Sequence, residues 1–224
     1  MGIETGVSNQ GQGRTLSLGG LNPIPTPTPA PAAPSMLQLT KGDQLVLMKS
    51  NGAVEQVRLG SGWDPNPMPG QTWDIDITAI ILDEYGKTRM GKFVCFDKRF
   101  RLTVEGGISH NGDNLTGQGD GVDESIDILL TRLAPEDMKV KFFAHIFEAG
   151  VKRQHFGLVQ NAFIQLDEIN TNAQLARFNL TDNYSDFTAI EFGELEREIE
   201  NTWRFNATGV GLNEECIETI NRFL

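Results

Sequence analysis

The sequence has little of what would mark a disulfide-stapled, membrane-spanning or nucleic-acid-binding protein. It holds 2 cysteines and 3 histidines in 224 residues. Cys95 and Cys216 stand far apart in the chain and neither belongs to a CxxC or Cys/His cluster, so the pattern excludes a zinc motif and predicts two buried, reduced thiols. No apolar run is long enough to cross a membrane as a helix. The start, MGIETGVSNQ, lacks the basic residues and apolar stretch of a secretory signal, which points to a cytoplasmic protein. Met1-Gly2 opens like a myristoylation signal, but Thr5 and Gly6 leave no hydroxyl at the position that signal needs.

Basic residues are also scarce. There are 19 Lys and Arg against 30 Asp and Glu, a formal charge of −11, and no basic stripe. Nucleic acid and anionic lipid are therefore excluded as partners, and the natural counter-ions are cations. Catalytic signatures are missing too: there is no P-loop, no G-x-S-x-G elbow and no Ser/His/Asp or Cys/His pattern. His145 and His155 fall in or near expected strands and read as sheet residues, so no enzyme is expected.

What is present divides near residue 36. Residues 1–36 are a Gly/Gln-rich opening followed by LNPIPTPTPAPAAP, an extended Pro-rich arm that cannot build a core and is a candidate for contacts with other proteins. Residues 37–224 read as an all-β domain, a β-sandwich of mostly antiparallel strands with a short C-terminal helix. LQLTKGDQLVLM and GAVEQVRLG flank Ser50-Asn51-Gly52, a hairpin signal. WDIDITAIIL, GKFVCF, ESIDILLTRL, VKFFAHIFEA, LVQNAFIQLDE, AQLARFNL, FTAIEFGELE and WRFNATGVG follow as strands. APEDM predicts one helical turn, and NEECIETINRFL a helix with Asn213 as its cap.

Two acidic motifs carry the chemistry. In WDID, Asp74 and Asp76 are two apart in a strand and share a face, while Ile75 and Ile77 turn to the core. Same-face carboxylates repel unless one is protonated or a cation lies between them; solvated acids on an exposed sheet face are the other reading of this motif alone. The second motif, SHNGDNLTGQGDGVDES, spans Ser109–Ser125. From Arg101 to Arg132 the acids Glu105, Asp113, Asp120, Asp123, Glu124 and Asp127 occur without an intervening Lys or Arg. Gly112, Gly117, Gly119 and Gly121 allow the chain to fold back and turn carbonyls inward. An all-oxygen donor set on a pliable loop suits Ca²⁺ better than Mg²⁺ or Zn²⁺. An EF-hand is rejected, because Leu115 and Gly117 occupy its third and fifth positions. His110 reads as a structural hydrogen-bonding residue.

The motif series LTKGDQLVL, GWD, WDIDITAIILDE, ISHNGDNLTGQGDGVDESIDILL, HFGLVQNAFIQL, ARFNL, TAIEFGELERE and WRFNATG resembles the TerD family of tellurium-resistance and stress-response proteins, from about Leu37 to Leu224. The resemblance implies a β-sandwich binding one or two Ca²⁺ ions. The ligands it implies are Asp74 and Asp76 from the strand and Asp113, Asn114, Asp120, Asp123 and Glu124 from the loop, with the carbonyls of Gly117 and Gly119. Asp64 is a weaker candidate, since Asp before Pro65 also suits a turn. Val122 stands where family members commonly carry another acid, and the Pro-rich arm lies outside the resemblance. The implied role is non-enzymatic, in a stress or tellurite-resistance complex. The arm suggests an alternative: a component of a larger assembly, homo-oligomeric, within a virion or peripheral to a membrane complex, without membrane insertion.

Overall fold

Alternation of apolar and polar side chains, clearest in Glu124–Leu129 where every second residue is buried, folds the chain into two sheets. The computed structural model describes residues 36–49, 52–181, 184–199 and 202–224. The Pro-rich arm lies outside these residues, as do Ser50 and Asn51 of the expected hairpin turn.

The strands are β1 (Leu37–Leu39), β2 (Gln44–Val46), β3 (Met48–Lys49), β4 (Gly52–Ala53), β5 (Gln56–Gly62), β6 (Ile75–Leu82), β7 (Phe93–Val94) and β8 (Ile108–His110). They continue as β9 (Glu124–Leu129), β10 (Lys139–Ile146), β11 (Phe163–Glu168), β12 (Ala173–Asn179), β13 (Ala189–Arg197), β14 (Trp203–Asn206) and β15 (Val210–Leu212), with helices α1 (Ala149–Lys152) and α2 (Cys216–Phe223). One sheet runs in the order β1-β12-β11-β5-β9-β8; the other runs β2-β14-β13-β10-β6-β7, with β15 also on β13. Every described pairing is antiparallel except β1 with β12.

The main core lies between the sheets. Val57, Leu59, Ile126, Ile128, Ile164 and Leu166 from one meet Ile75, Ile77, Ile81, Phe142, Phe192 and Phe205 from the other. In β13 the inward positions shift from Ile190 and Phe192 to Leu195. A bulge opposite Phe142 and Phe143 makes that change of parity. A second apolar cluster, Ile80, Leu82, Phe93, Cys95, Phe143, Cys216 and Ile220, occupies the outer face of the second sheet under α2.

Several local expectations are corrected. The hairpin around Gly52 is only the two-residue ladder of β3 and β4. LQLTKGDQLVLM is broken at Thr40–Asp43, so β1 joins one sheet and β2 the other. APEDM is a turn, closed by the Asp137 N–H on the Ala134 carbonyl at 2.9 Å, because its carboxylate returns to the Ala134 N–H. Asn213 accepts from the Thr188 N–H. The cap of α2 is instead Glu215, which forms a reciprocal capping box with Glu218. His155 precedes a 3₁₀ turn at Phe156–Leu158 and is not in a sheet.

The acid-rich segment also has cations, supplied from elsewhere in the chain. Arg58 pairs with Asp127 at 2.6 Å, and Lys92, 2 % exposed, meets Glu105 at 2.6 Å and Asp137 at 2.9 Å. Removing one partner of a buried ionic group strands the other. Lys92→Met is thus expected to lower unfolding free energy by about 3 kcal/mol in urea denaturation, against under about 0.5 kcal/mol for exposed Lys41→Met.

Candidate metal centre

The acidic residues gather where the β8–β9 edge of one sheet meets β6 of the other. β7 pairs with β6 only at Ala79 and Ile80, which leaves the Ile77 N–H free of a strand partner on that side. Glu124 fills the gap. Its Oε2 accepts from the Ile77 N–H and its Oε1 from the Asn114 N–H, both at 3.1 Å, so one buried carboxylate joins the two sheets and the loop.

Beside it, Asp74, Asp76 and Asp113 each offer a carboxylate oxygen within 4.8 Å of the others. Asp74 directly precedes β6, and its carbonyl accepts from the Phe147 N–H at 2.8 Å. Its Oδ1 is buried and has no hydrogen-bond partner among the described residues. Asp76 is 2 % exposed. Asp113 is exposed on the loop. Two cations approach from the sides: Lys152 Nζ lies 3.7 Å from Asp74 Oδ2, and the Arg101 guanidinium 3.8 Å from Asp113 Oδ2.

Crowding and burial alter the protonation of these groups. Burial, together with the charges of Glu124, Asp74 and Asp113, pushes the Asp76 carboxyl up to about 9. Burial also lifts Glu124 to about 8, against the pull of its two N–H donors. Asp74 is raised by burial, with Lys152 opposing. His110 Nε2 lies 3.6 Å from Glu124 Oε2 but forms no ion pair near neutrality, since burial holds the imidazole down at about 4. Its Nδ1 accepts from the Gly112 N–H at 3.3 Å, which gives this histidine a structural place in the loop.

Of the remaining expected ligands, Asn114 and Asp123 make bonds that brace the loop. Asn114 Oδ1 is occupied by the N–H groups of Thr116 and Gly117 at 3.0 and 3.2 Å, an Asx turn. Asp123 accepts from the Trp63 N–H and from Asn114 Nδ2, each at 3.0 Å. Gly117, at φ +66°, lies so close to Trp63 that a Cβ would sit 2.5 Å from the indole nitrogen. Gly119, at φ +140°, is exposed, as is Asp120, which lies outside the three-carboxylate group. Asp64 accepts from the Asn161 side-chain amide at 2.5 Å and is not one of the three clustered carboxylates.

Sequence reasoning missed one residue of the centre and the contacts of two others. Lys152 reaches the centre from a helix the motifs did not include. Val122 packs over Gly60, its methyl carbons 2.7 and 2.8 Å from where a Cβ on that glycine would be. Glu124 was seen as a ligand, but its grip on two backbone amides was not; the lone N–H beyond a short edge strand is visible only in the fold.

A two-sheet β-sandwich with a carboxylate cluster that could hold a metal ion is the class defined by these features. The TerD domain model matches residues 36–223, and the chain belongs to the TerD domain family. Over 175 residues it is 38% identical to Tellurium resistance protein TerD of Serratia marcescens, covering 78% of this chain and 90% of that protein. General stress protein 16U of Bacillus subtilis (strain 168) is 36% identical over 179 residues, covering 78% and 90%. The crystal structure of a protein of unknown function superposes with a TM-score of 0.65 at 26% identity, covering 75% of this chain and 95% of that one. No helix among the described residues is long and apolar enough to cross a membrane.

The raised carboxyls define a pH dependence. In metal-free protein the folded state keeps protons on Asp76 and Glu124 that the unfolded chain has released above its ordinary carboxylate range, so folding stability falls as pH rises. From about pH 7.5 to about pH 9 His110 and His145 are largely neutral in both states and the acids lower stability, joined by the Cys216 thiol, raised by its bond to Cys95 and by burial, and opposed by Cys95, which that bond lowers. Thermal melts in EGTA should show Tm falling across this window, with a shallower fall in Asp76→Asn.

Proposed function

We propose that this chain is a non-enzymatic calcium-binding module that acts with other proteins in a stress or tellurium-resistance response. The observation carrying the reading is the convergence of Asp74, Asp76 and Asp113 within 4.8 Å, with the buried Asp74 Oδ1 left without a donor among the described residues. Three carboxylates confined there repel one another, and burial makes their ionisation costly. A divalent cation offsets both effects at once.

The donor chemistry selects the ion. The cluster contains oxygen alone, whereas Zn²⁺ is typically held by sulfur and nitrogen. Its carboxylates come from a strand end, a strand and a loop rich in positive-φ glycines, a set that adapts more readily to the irregular shell of Ca²⁺ than to the strict octahedron of Mg²⁺. Asp74, Asp76 and Asp113 would hold the ion. Glu124, Asn114 and Asp123 would hold the loop, through the amides of Ile77, Asn114, Thr116, Gly117 and Trp63. Bound calcium supplies charge neutralisation between loop and strand. The role in resistance is carried over from the names of the relatives, which are tellurium resistance and stress proteins.

Isothermal titration of EGTA-treated protein with CaCl₂ should give saturable heat, and calcium at a hundred times its Kd should raise stability by about 2.7 kcal/mol. Asp76→Asn and Asp113→Asn should each remove most of that gain, while Asp186→Ala, on an exposed loop, should leave it intact. Absence of heat at millimolar calcium would overturn the reading.

A further inference from the structure

We propose that Cys95 and Cys216 form a dithiol that peroxide oxidises to a disulfide, a modification site on the outer face of the second sheet. The register between β6 and β7 places the first thiol. Val94 stands opposite Ala79 and Phe93 opposite Ile80, and continuing that antiparallel register puts Cys95 beside Thr78. Ala79 and Ile81 face the main core, whereas Thr78 and Ile80 project outward, and cross-strand neighbours share a face. Helix α2 delivers the second thiol to the same row: Cys216 Sγ lies 3.2 Å from Thr78 Oγ1. The two thiols, remote in sequence, hydrogen-bond to each other there.

Both cysteines are buried, at 4% and 7% exposure, yet both line a cavity of about 620 Å³ beside α2. Phe93, Phe96, Phe100 and Phe147 form much of its wall, and it reaches down to Asp76 and His145. A peroxide molecule, little larger than a water at about 30 Å³, fits in that space many times over. From hydrogen-bond contact the sulfurs have to close to about 2.0 Å. α2 is held to the sheet through the side chains of Cys216, Thr219 and Ile220, so its approach to β7 breaks no strand pairing.

The two thiols have different roles. Cys95 Sγ accepts from the Cys216 S–H and from the Asp97 N–H, with the Arg99 charge nearby; against the effect of burial, these contacts favour its thiolate and hold it below the ordinary thiol range. Cys216 is the donor, pushed up by that bond and by burial. The Cys95 sulfur attacks one oxygen of hydrogen peroxide: an S–O bond forms, the O–O bond breaks, and the departing hydroxide takes the thiol proton as water. The Cys216 sulfur then attacks the sulfenic sulfur of Cys95. The S–S bond forms, the S–O bond breaks, and hydroxide leaves with the Cys216 proton as a second water. The pair gives up two electrons and peroxide gains them. No ionised carboxylate and no bound metal enters either step. The product ties the end of β7 to the start of α2 at the cavity wall.

The test treats the reduced full chain, freed of reductant, with hydrogen peroxide, blocks remaining thiols with iodoacetamide and maps peptides by mass without reduction. Both thiols should disappear together, a peptide joining Cys95 to Cys216 should appear in the monomer, and dithiothreitol should restore both. Cys216→Ser should stop at a sulfenic acid on Cys95 that dimedone traps. Cys95→Ser should lose its remaining thiol about tenfold more slowly than the unaltered chain. Met68 and Met90, 60% and 62% exposed, report in the same maps that enough peroxide was present. Persistence of both thiols after these methionines are oxidised, a disulfide formed only between chains, or undiminished loss of the Cys216 thiol in Cys95→Ser would overturn the proposal. If a variant does not fold, the peptide map of the unaltered protein decides.

Discussion

Anions of one sign confined at a seam with too few cations are the constraint around which this structure is arranged. Burial alone would favour neutral carboxyls, and repulsion alone would drive Asp74, Asp76 and Asp113 apart. The fold prevents separation. Glu124 holds the amides of Ile77 and Asn114, Asp123 holds the amide of Trp63, and Asn114 closes a turn on its own loop. These bonds fix the loop on the sandwich and leave the three remaining carboxylates facing one another. Lys152 and Arg101 relieve part of the charge from the sides. The geometry is therefore poised for a cation by the placement of hydrogen bonds that contain none.

Much of this was legible in the sequence where it depended on period or on chemistry. The two-residue spacing of Asp74 and Asp76 sent both acids to one face, because a strand alternates regardless of context. The glycine-acid loop could be matched to that strand through donor type. What was not legible depended on partners distant in sequence. Read as an acidic string, Asn114, Asp123 and Glu124 are expected as ligands, and only the fold shows the amides of Ile77, Asn114, Thr116, Gly117 and Trp63 that they also hold. The Asn114-Leu-Thr116-Gly117 run does carry an Asx-turn signal, from which the bracing bonds of Asn114 could have been read. Parity changes were hidden for a similar reason: the β13 bulge follows from its pairing with β10, and no residue in FTAIEFGELE announces it. The cap of α2 went to Glu215 over Asn213 through a capping box whose second half, Glu218, lies inside the helix.

The outer face of the second sheet shows how one strand serves two environments. β6 gives its odd-numbered isoleucines to the main core and presents Asp76, Thr78, Ile80 and Leu82 on the other side. Toward Leu82 that side is closed by α2 and the second apolar cluster; toward Asp76 it opens into the aromatic pocket. The only two cysteines, distant in sequence, both line this region and remain free. Asp76 thus belongs to the carboxylate cluster and to the pocket floor together, and whatever neutralises it from one side alters its electrostatic value to the other.

The bare backbone of β5 has a consequence for how such a chain can change over generations. Gly60 and Gly62 leave room on the strand for Val122 and for the carbonyl of Gly121, while Ser61 supplies the carbonyl that accepts the Asp123 N–H at 2.7 Å. Strand and loop are two halves of a fitted joint, although they are remote from each other in the sequence. A side chain gained on the strand has to be answered by a smaller or displaced loop. These positions are therefore bound to be inherited as a set, and descendants that reshape the loop should record the event first in the glycines of β5.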